Sequence, residues 1–347
     1  MQTVFQQKMD QFLSEYCEKA YFSGSLRVTK NDEILYQRFI GQADREKNLP
    51  LNGSSVFTLY SLSKPFCALG LLKLKDKNEV DLDKHPGEYV PEASGFDSGV
   101  TIRQMLHHTS GLPDFEQTKE FCEKYAPGLP EKIREHVKYL TAYPLLFKPG
   151  TGSMYANINF NLCALIIENV SGMPYAAYMK KEIFDPLGMN TAQIDGENPA
   201  VQNRVKGYAL YEGKIFHIER GSDWMFGAGD ILGTVDDVYC LNKAIKNRLL
   251  LKEDTWREAL TPSPISGMGM GCTVSDWHGK TRITHNGGHL GFRTLHVQLP
   301  GDDFDIILLS NCGWGDARNE ISEAIHEAYY GSDCTESKEI QMDSGYI

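Results

Sequence analysis

A serine and a lysine three residues apart, Ser61 and Lys64, begin a segment that becomes apolar directly after them. Residues i and i+3 of a helix share a face, so the Lys64 amine is predicted beside the Ser61 hydroxyl. A serine hydroxyl attacks well once a base takes its proton, and a lysine can be that base when burial lowers its pKa. Pro65 fits a first helical turn, which predicts a helix beginning near Ser61. The motif alone also fits a capping serine and a solvated lysine, since roughly one Ser-x-x-Lys arises by chance in such a chain.

A tyrosine and an asparagine form a second motif, Tyr155-Ala156-Asn157, after the turn-forming residues 148–152. A phenol beside a nucleophile can relay a proton to the leaving group, and a nearby ammonium lowers the pKa of the phenol. The Asn157 side chain donates and accepts hydrogen bonds, so it can hold both the lysine and a substrate amide. Taken alone, the motif also fits a tyrosine packed at the start of a helix.

A third motif, His285-Asn286-Gly287-Gly288, lies between the β-prone residues 281–284 and a loop. Glycine lets a substrate approach the backbone closely, and a strand edge can donate a backbone N–H to an oxyanion. The alternative is a glycine-rich hairpin with incidental histidines.

The elements that must position these motifs differ between the ends and the middle of the chain. Residues 24–41 predict two strands around Lys30-Asn31-Asp32, and residues 293–310 predict two more around Gly301-Asp302-Asp303. Apolar spacing predicts helices over residues 3–20 and 321–329. Helical segments are expected between these ends at 65–74, 102–107, 132–141, 160–170, 175–183 and 235–245. The pattern is an α+β one: an antiparallel sheet flanked by N- and C-terminal helices, with a large helical insertion.

Composition limits the classes of partner. The chain has 347 residues and a net charge of −11, which disfavours binding to nucleic acid or to an anionic membrane. No stretch approaches the ~20 apolar residues that cross a bilayer. The eight cysteines are scattered without zinc-site spacing, and the polar N-terminal residues lack an export signal. We therefore expect free thiols, no metal or other cofactor, and a cytoplasmic location.

With its three motifs in this order, the sequence resembles the serine β-lactamase and penicillin-binding family. The specific branch is that of class C β-lactamases, D-alanyl-D-alanine carboxypeptidases, D-aminopeptidases and related esterases. The flanking residues are similar too: Met105–Leu112 looks like the family's Leu-x-His-Thr-Ser-Gly-Leu segment, and Phe184–Met189 looks like its Pro-Leu-Gly-Met turn. Residues 227–237 and 288–311 also follow the family pattern.

The resemblance implies a β-lactamase/transpeptidase-like fold and a role for each motif residue. Ser61 would be the acylated nucleophile, with Lys64 and Tyr155 as a coupled base and proton shuttle. Asn157 would orient Lys64 and the substrate, and His285 and Gly287 would help to bind it. The backbone N–H groups of Ser61 and Gly288 would form the oxyanion hole.

The resemblance also implies a two-lobed unit with the active site in the cleft between the lobes. Residues 1–60 and 230–347 would form the sheet domain, and residues 61–229 the mainly helical one.

The third motif departs from the Lys-Thr-Gly or Lys-Ser-Gly of β-lactamases. A neutral imidazole at His285 binds a carboxylate less strongly than an ammonium does, so weak β-lactam hydrolysis is expected. Arg293 could supply a cation instead, or could be structural.

The sequence predicts a serine hydrolase that forms an acyl-enzyme at Ser61 on a small ester or amide: a D-amino-acid peptide, a carboxylic ester or a β-lactam. The alternative is a non-catalytic binding or scaffolding module that keeps the same pocket. A small molecule or short peptide is the expected partner, without nucleic acid or membrane, and the oligomeric state is open. Five aromatic residues are candidates to line the pocket, with ordinary packing as the alternative: Tyr60, Phe115, Tyr125, Trp224 and Phe226.

Overall fold

The computed structural model of the chain describes residues 3–20, 22–114, 133–196, 200–218, 222, 225–289, 291–314 and 316–331. In chain order, the α-helices of these residues are α1 (Val4–Ala20), α2 (Lys64–Asp76), α3 (Ile102–Leu106), α4 (Ile133–Leu140), α5 (Asn157–Ser171), α6 (Tyr175–Met179), α7 (Asp185–Leu187), α8 (Val235–Lys246), α9 (Glu253–Leu260) and α10 (Ala317–Tyr330). A 3₁₀ turn, Tyr60–Ser63, precedes α2, and a π-type turn, Lys180–Phe184, continues α6. The helical segments expected from the sequence are present, with the 175–183 segment divided between α6 and the π-type turn.

The strands are short except in one sheet. They are β1 (Gly24–Lys30), β2 (Glu33–Ile40), β3 (Gln42–Asp44), β4 (Leu49–Pro50), β5 (Phe57–Thr58), β6 (Gln193–Ile194), β7 (Gly207–Tyr211), β8 (Lys214–Ile218), β9 (Ile231–Gly233), β10 (Thr273–Trp277), β11 (Lys280–His289), β12 (Phe292–Leu299) and β13 (Phe304–Ser310). Both predicted hairpins, β1–β2 and β12–β13, are confirmed.

The main sheet has six antiparallel strands in the order β10-β11-β12-β13-β1-β2. Its β1–β2 turn is made by Asn31 and Asp32, whose φ angles of 51° and 64° suit the turns that twist with paired strands. The N-terminal hairpin joins the C-terminal one where β1 pairs with β13, so that Leu26 lies opposite Leu308. The sheet is thus built from both ends of the chain, as the sequence predicts.

Strand β13 is buried along its whole length because both faces of the sheet are covered. Alternate residues point to opposite faces. Leu308 packs in the apolar cluster under α1 and α10, whereas Ile307 and Leu309 belong to the larger cluster with the helices of the middle of the chain. This arrangement is the α+β fold expected from the sequence, with terminal helices on one face and the helical insertion on the other.

The division into residues 1–60 with 230–347 and residues 61–229 stays a prediction. A three-stranded sheet in the order β5-β9-β6 crosses that division, because β6 comes from the inserted segment.

Six of the eight cysteines lie among the described residues, each as a thiol, and Cys122 and Cys334 lie outside them. Within the described part of the chain, no helix is long and apolar enough to cross a membrane.

Candidate active site

Ser61 lies in a tight turn that other parts of the chain hold from several sides. It belongs to the 3₁₀ turn Tyr60–Ser63, and α2 itself begins at Lys64, slightly later than the sequence predicts. The Leu59 N–H donates to the Ile231 carbonyl (2.9 Å), and the Ile231 N–H donates to Ser63 Oγ (3.0 Å). The nucleophile candidate is therefore tied to β9 on both sides of its own position.

Tyr60, directly before Ser61, has a φ of +48°, a conformation that bulky residues rarely adopt. Its ring is buried against Phe292 and His289, with centroid distances of 6.0 and 5.5 Å. Packing of the ring holds the unusual backbone, which turns the chain sharply into Ser61. Tyr60 thus has the packing role that the sequence left as the alternative to lining a pocket.

Lys64 is fully buried and meets three oxygen atoms. Its Nζ donates to Ser61 Oγ at 3.0 Å, to Asn157 Oδ1 at 2.9 Å and to the Ala228 carbonyl at 2.7 Å. Burial lowers the pKa of Lys64 from the ordinary 10.5 to about 7, and the nearby carboxyl of Asp114 opposes the shift. Burial therefore makes the neutral amine accessible near neutral pH.

These three oxygen atoms determine the direction of the lone pair on the neutral Lys64 amine. The Ala228 carbonyl and Asn157 Oδ1 can only accept hydrogen bonds, so they keep the two N–H groups. The Ser61 hydroxyl is the one partner that can donate, and it faces the remaining lone pair. The geometry suits transfer of the serine proton to Lys64.

Tyr155 and Asn157 flank the start of α5, whose N-cap residue Ala156 has no side-chain cap. Lys64 Nζ lies 4.8 Å from the centroid of the Tyr155 ring. The Asn157 N–H donates to an Asp114 carboxylate oxygen. The structure thus brings the first two motifs together around the lysine, although they are almost a hundred residues apart.

The third motif lies on β11, which pairs with β10 only as far as Thr284 and leaves the edge from residue 285 onward outside that pairing. A Cβ at Gly287 would lie 2.1 Å from the Leu59 carbonyl oxygen and 3.0 Å from the Leu62 nitrogen. The same carbonyl accepts a hydrogen bond from Thr294 Oγ1 at 2.7 Å. Only glycine at position 287 allows the strand to pack against the turn that carries Ser61.

His285 is buried and faces the same space, with its ring centroid 6.4 Å from that of Tyr155. Its Nδ1 lies 2.6 Å from the Asn286 carbonyl, which can only accept, so Nδ1 carries the proton. Burial, with Lys64 nearby, lowers the pKa of His285 to about 3. This imidazole is neutral at neutral pH and offers no fixed positive charge to a substrate carboxylate.

Arg293 does not replace that charge. Successive strand residues face opposite sides, so Gly288 and its pairing partner Arg293 lie on the face away from Gly287. The Arg293 guanidinium donates to the Phe292 and Gly313 carbonyls at 2.8 and 2.9 Å. It has the structural role that the sequence left open, and the place of the Gly288 N–H in an oxyanion hole stays a prediction.

Asp230 is a buried carboxyl near Lys64 that the motifs do not include. One oxygen accepts from the Gly227 N–H at 2.9 Å, and the other has no hydrogen-bond partner among the described residues. Burial raises the pKa of Asp230 to about 7, in the same range as that of Lys64. The charge on Asp230 favours the charged form of Lys64.

Sequence reasoning missed four groups at this site: the Ala228 carbonyl, His108, Asp114 and Asp230. His108 lies in the segment Met105–Leu112, and Asp114 lies two residues after it; the resemblance of this segment to the family was noted without assigning roles. Ala228 acts through its backbone, which leaves no signal in a single sequence.

The other aromatic candidates are divided. Phe226 is partly buried and packs on Tyr175 at 5.2 Å, whereas Phe115, Tyr125 and Trp224 lie outside the described residues. In the described ranges, no three His, Cys, Asp or Glu side chains are grouped so as to hold a metal ion.

Comparison with known proteins gives matches over most of the chain. The Beta-lactamase family model matches residues 1–329. Penicillin-binding protein 4* of Bacillus subtilis (strain 168) is 29% identical over 319 residues, covering 85% of this chain and 69% of that protein. Esterase EstB of Burkholderia gladioli is 33% identical over 184 residues, covering 50% of this chain and 47% of that enzyme.

Similarity extends to solved structures. The octameric penicillin-binding protein homologue from Pyrococcus abyssi has the same fold, with a TM-score of 0.81 and 23% identity, covering 92% of this chain and 76% of that chain. Since the family model spans nearly the whole sequence, the chain belongs to the beta-lactamase family, a family of serine hydrolases.

Proposed function

We propose that this protein is a serine hydrolase that forms a covalent acyl-enzyme at Ser61 on a small ester or amide. The observation that carries the proposal is the buried Lys64 amine, 3.0 Å from Ser61 Oγ, with a pKa near 7. Lys64 takes the serine proton as Ser61 Oγ attacks the carbonyl carbon. Tyr155 then gives its proton to the leaving group as the bond to that group breaks, and regains a proton from Lys64. Water then attacks the acyl-enzyme and releases the acid.

The neutral His285 favours substrates without a carboxylate next to the scissile bond. A β-lactam or a C-terminal D-alanyl peptide presents such a carboxylate, whereas a simple carboxylic ester or an amino-acid amide does not. We therefore expect the highest kcat/KM on esters and uncharged amides. The esterase among the relatives supports this ranking.

The nucleophile is tested by mass spectrometry of the protein after treatment with a fluorophosphonate. The expected result is one adduct on the peptide that contains Ser61, absent in Ser61→Ala. Ser54→Ala is the control, because Ser54 is exposed and lies outside the turn that carries Ser61. Labelling that persists in Ser61→Ala contradicts the proposal.

Substrate preference is tested by kcat/KM on a p-nitrophenyl ester, a D-alanyl peptide and nitrocefin, because the ratio of these values is what discriminates substrates. The ester is expected to lead and nitrocefin to trail. An adduct that forms on Ser61 without turnover of any substrate would instead favour the non-catalytic binding module.

A further inference from the structure

One residue outside the three motifs, His108, contacts the chain around Tyr155 through both its backbone and its ring. His108 comes from the segment after α3, and its carbonyl accepts from the Met154 N–H at 3.1 Å and from Ser153 Oγ at 3.3 Å. Its ring Nδ1 accepts from the Ala156 N–H at 3.1 Å. His108 therefore bonds the chain on both sides of Tyr155.

The His108 ring also lies against the Tyr155 ring itself. The two centroids are 4.5 Å apart and the planes differ by 26°, which is a stacked arrangement. Stacking fixes the orientation of the phenol ring, and the hydrogen bonds to residues 153, 154 and 156 fix the position of the backbone that carries it. The phenol is thus held while Lys64 Nζ lies 4.8 Å from its centroid.

The His108 ring acts as a structural support and not as an acid or base. Both groups that meet Nδ1, the Ala156 N–H and the Asn159 amide at 3.2 Å, are donors, so Nδ1 is unprotonated and the proton is on Nε2. Burial, with Lys64 and His285 nearby, lowers the pKa of His108 well below its usual range. Protonating Nδ1 would break both contacts.

We propose that His108 is a positioning residue for Tyr155, holding the phenol in register with Lys64 through ring stacking and through the bonds to residues 153–156. The inference rests on the proposed function, in which Tyr155 moves a proton. A shift of about 1 Å at a reacting group can cost on the order of 100-fold in rate, so loosening the phenol should lower kcat without changing substrate binding.

Two substitutions of His108 separate the contribution of ring stacking from that of the Nδ1 hydrogen-bond acceptor. His108→Phe keeps a stacking ring and removes the acceptor, and it also removes an Nε2–H that has no partner among the described residues. His108→Asn keeps an acceptor near the Nδ1 position without the ring, and asparagine tolerates the φ of +55° found here. If His108→Phe does not fold, His108→Asn still carries the test.

The chain offers a matched control in the neighbouring histidine. His107 is partly buried, and its Nδ1 contacts the Met268 carbonyl at 2.8 Å. His107→Gln should therefore leave kcat and KM unchanged. Each variant is measured for kcat and KM on the p-nitrophenyl ester, with active sites counted by fluorophosphonate titration and thermal midpoints recorded.

Each His108 substitution is expected to lower kcat per active site about 10- to 100-fold with KM changed less than about threefold. In a Tyr155→Phe background the same substitutions should add little further loss, since the group that they position has lost its hydroxyl. Lower thermal midpoints with unchanged kcat per active site would overturn the inference.

The Tyr155→Phe single variant distinguishes failure of the proposed function from failure of the positioning role of His108. If Tyr155→Phe keeps full activity, the proton-shuttle role in the proposed function fails, and the inference fails with it. If Tyr155→Phe is impaired but the His108 losses multiply with it, only the inference fails.

Discussion

The two sides of the candidate site next to Ser61 are built on different principles. On the helical side, Lys64 is an ionisable group held by three oxygens, with a pKa brought to about 7 by burial. On the strand side, His285 is a neutral ring with a pKa near 3, and Gly287 contributes only the absence of a side chain. In the proposed mechanism, proton transfer belongs to the Lys64 side, whereas the Gly287 side contributes its shape and its backbone.

The largest effect is expected from removing the amine of the helical side. Lys64→Met keeps the length and apolar stem of the side chain but cannot take the Ser61 proton, so kcat/KM on an ester should fall about 10³-fold. Lys73→Met is the matched control, because Lys73 lies on the same helix and contacts Glu182 instead. A loss smaller than tenfold in Lys64→Met would mean that another group is the base.

A smaller effect is expected from filling the space on the strand side. Gly287→Ala puts a Cβ against the Leu59 carbonyl, so strand and turn must separate, with a cost of about 1–3 kcal/mol in the free energy of unfolding. Activity should fall about 100-fold as the Ser61 turn shifts. Chemical denaturation and ester kinetics measure the two effects.

Gly301→Ala, where a Cβ meets open space, should change neither quantity. Equal behaviour of the Gly287 and Gly301 variants would show that the close approach at Gly287 is not required.

The smallest effect concerns the pH dependence. In the proposed mechanism the neutral Lys64 amine is the active form. Burial brings the pKa of Lys64 to about 7, so kcat/KM should fall about tenfold per unit below pH 7. The Asp230 charge raises the pKa of Lys64, so Asp230→Asn should move this acid limb to lower pH by less than about one unit. His285→Gln should leave the limb in place, because His285 does not titrate there. If the acid limb moves in His285→Gln, the titrating group lies on the strand side rather than at Lys64.

Much of this site is predictable from the sequence, for reasons that differ between residues. The contact of Lys64 with Ser61 follows from their three-residue spacing, and it holds although the turn is 3₁₀ rather than α. The approach of Tyr155, Asn157 and His285 depends on long-range packing, and only the family resemblance predicted it.

Other features could not be predicted because their causes lie in three dimensions. The Ala228 carbonyl carries no side-chain signal, and the need for glycine at position 287 arises from Leu59, more than 200 residues away in the chain. Arg293 directly precedes Thr294, which pairs with Gly287. Because successive strand residues point to opposite faces, Arg293 faces away from the candidate site.

The pairing of β1 with β13 has a consequence for how the protein acquires its activity. Thr29 Oγ1 bonds to Asp305, 276 residues further along the chain. Closing a loop of that length is slow, and a ribosome makes β13 only after the long segment that separates it from β1. Ser61 and Lys64 are synthesised more than 200 residues before the end of β11, so a nascent chain carries the proposed nucleophile long before β11 can pack beside it.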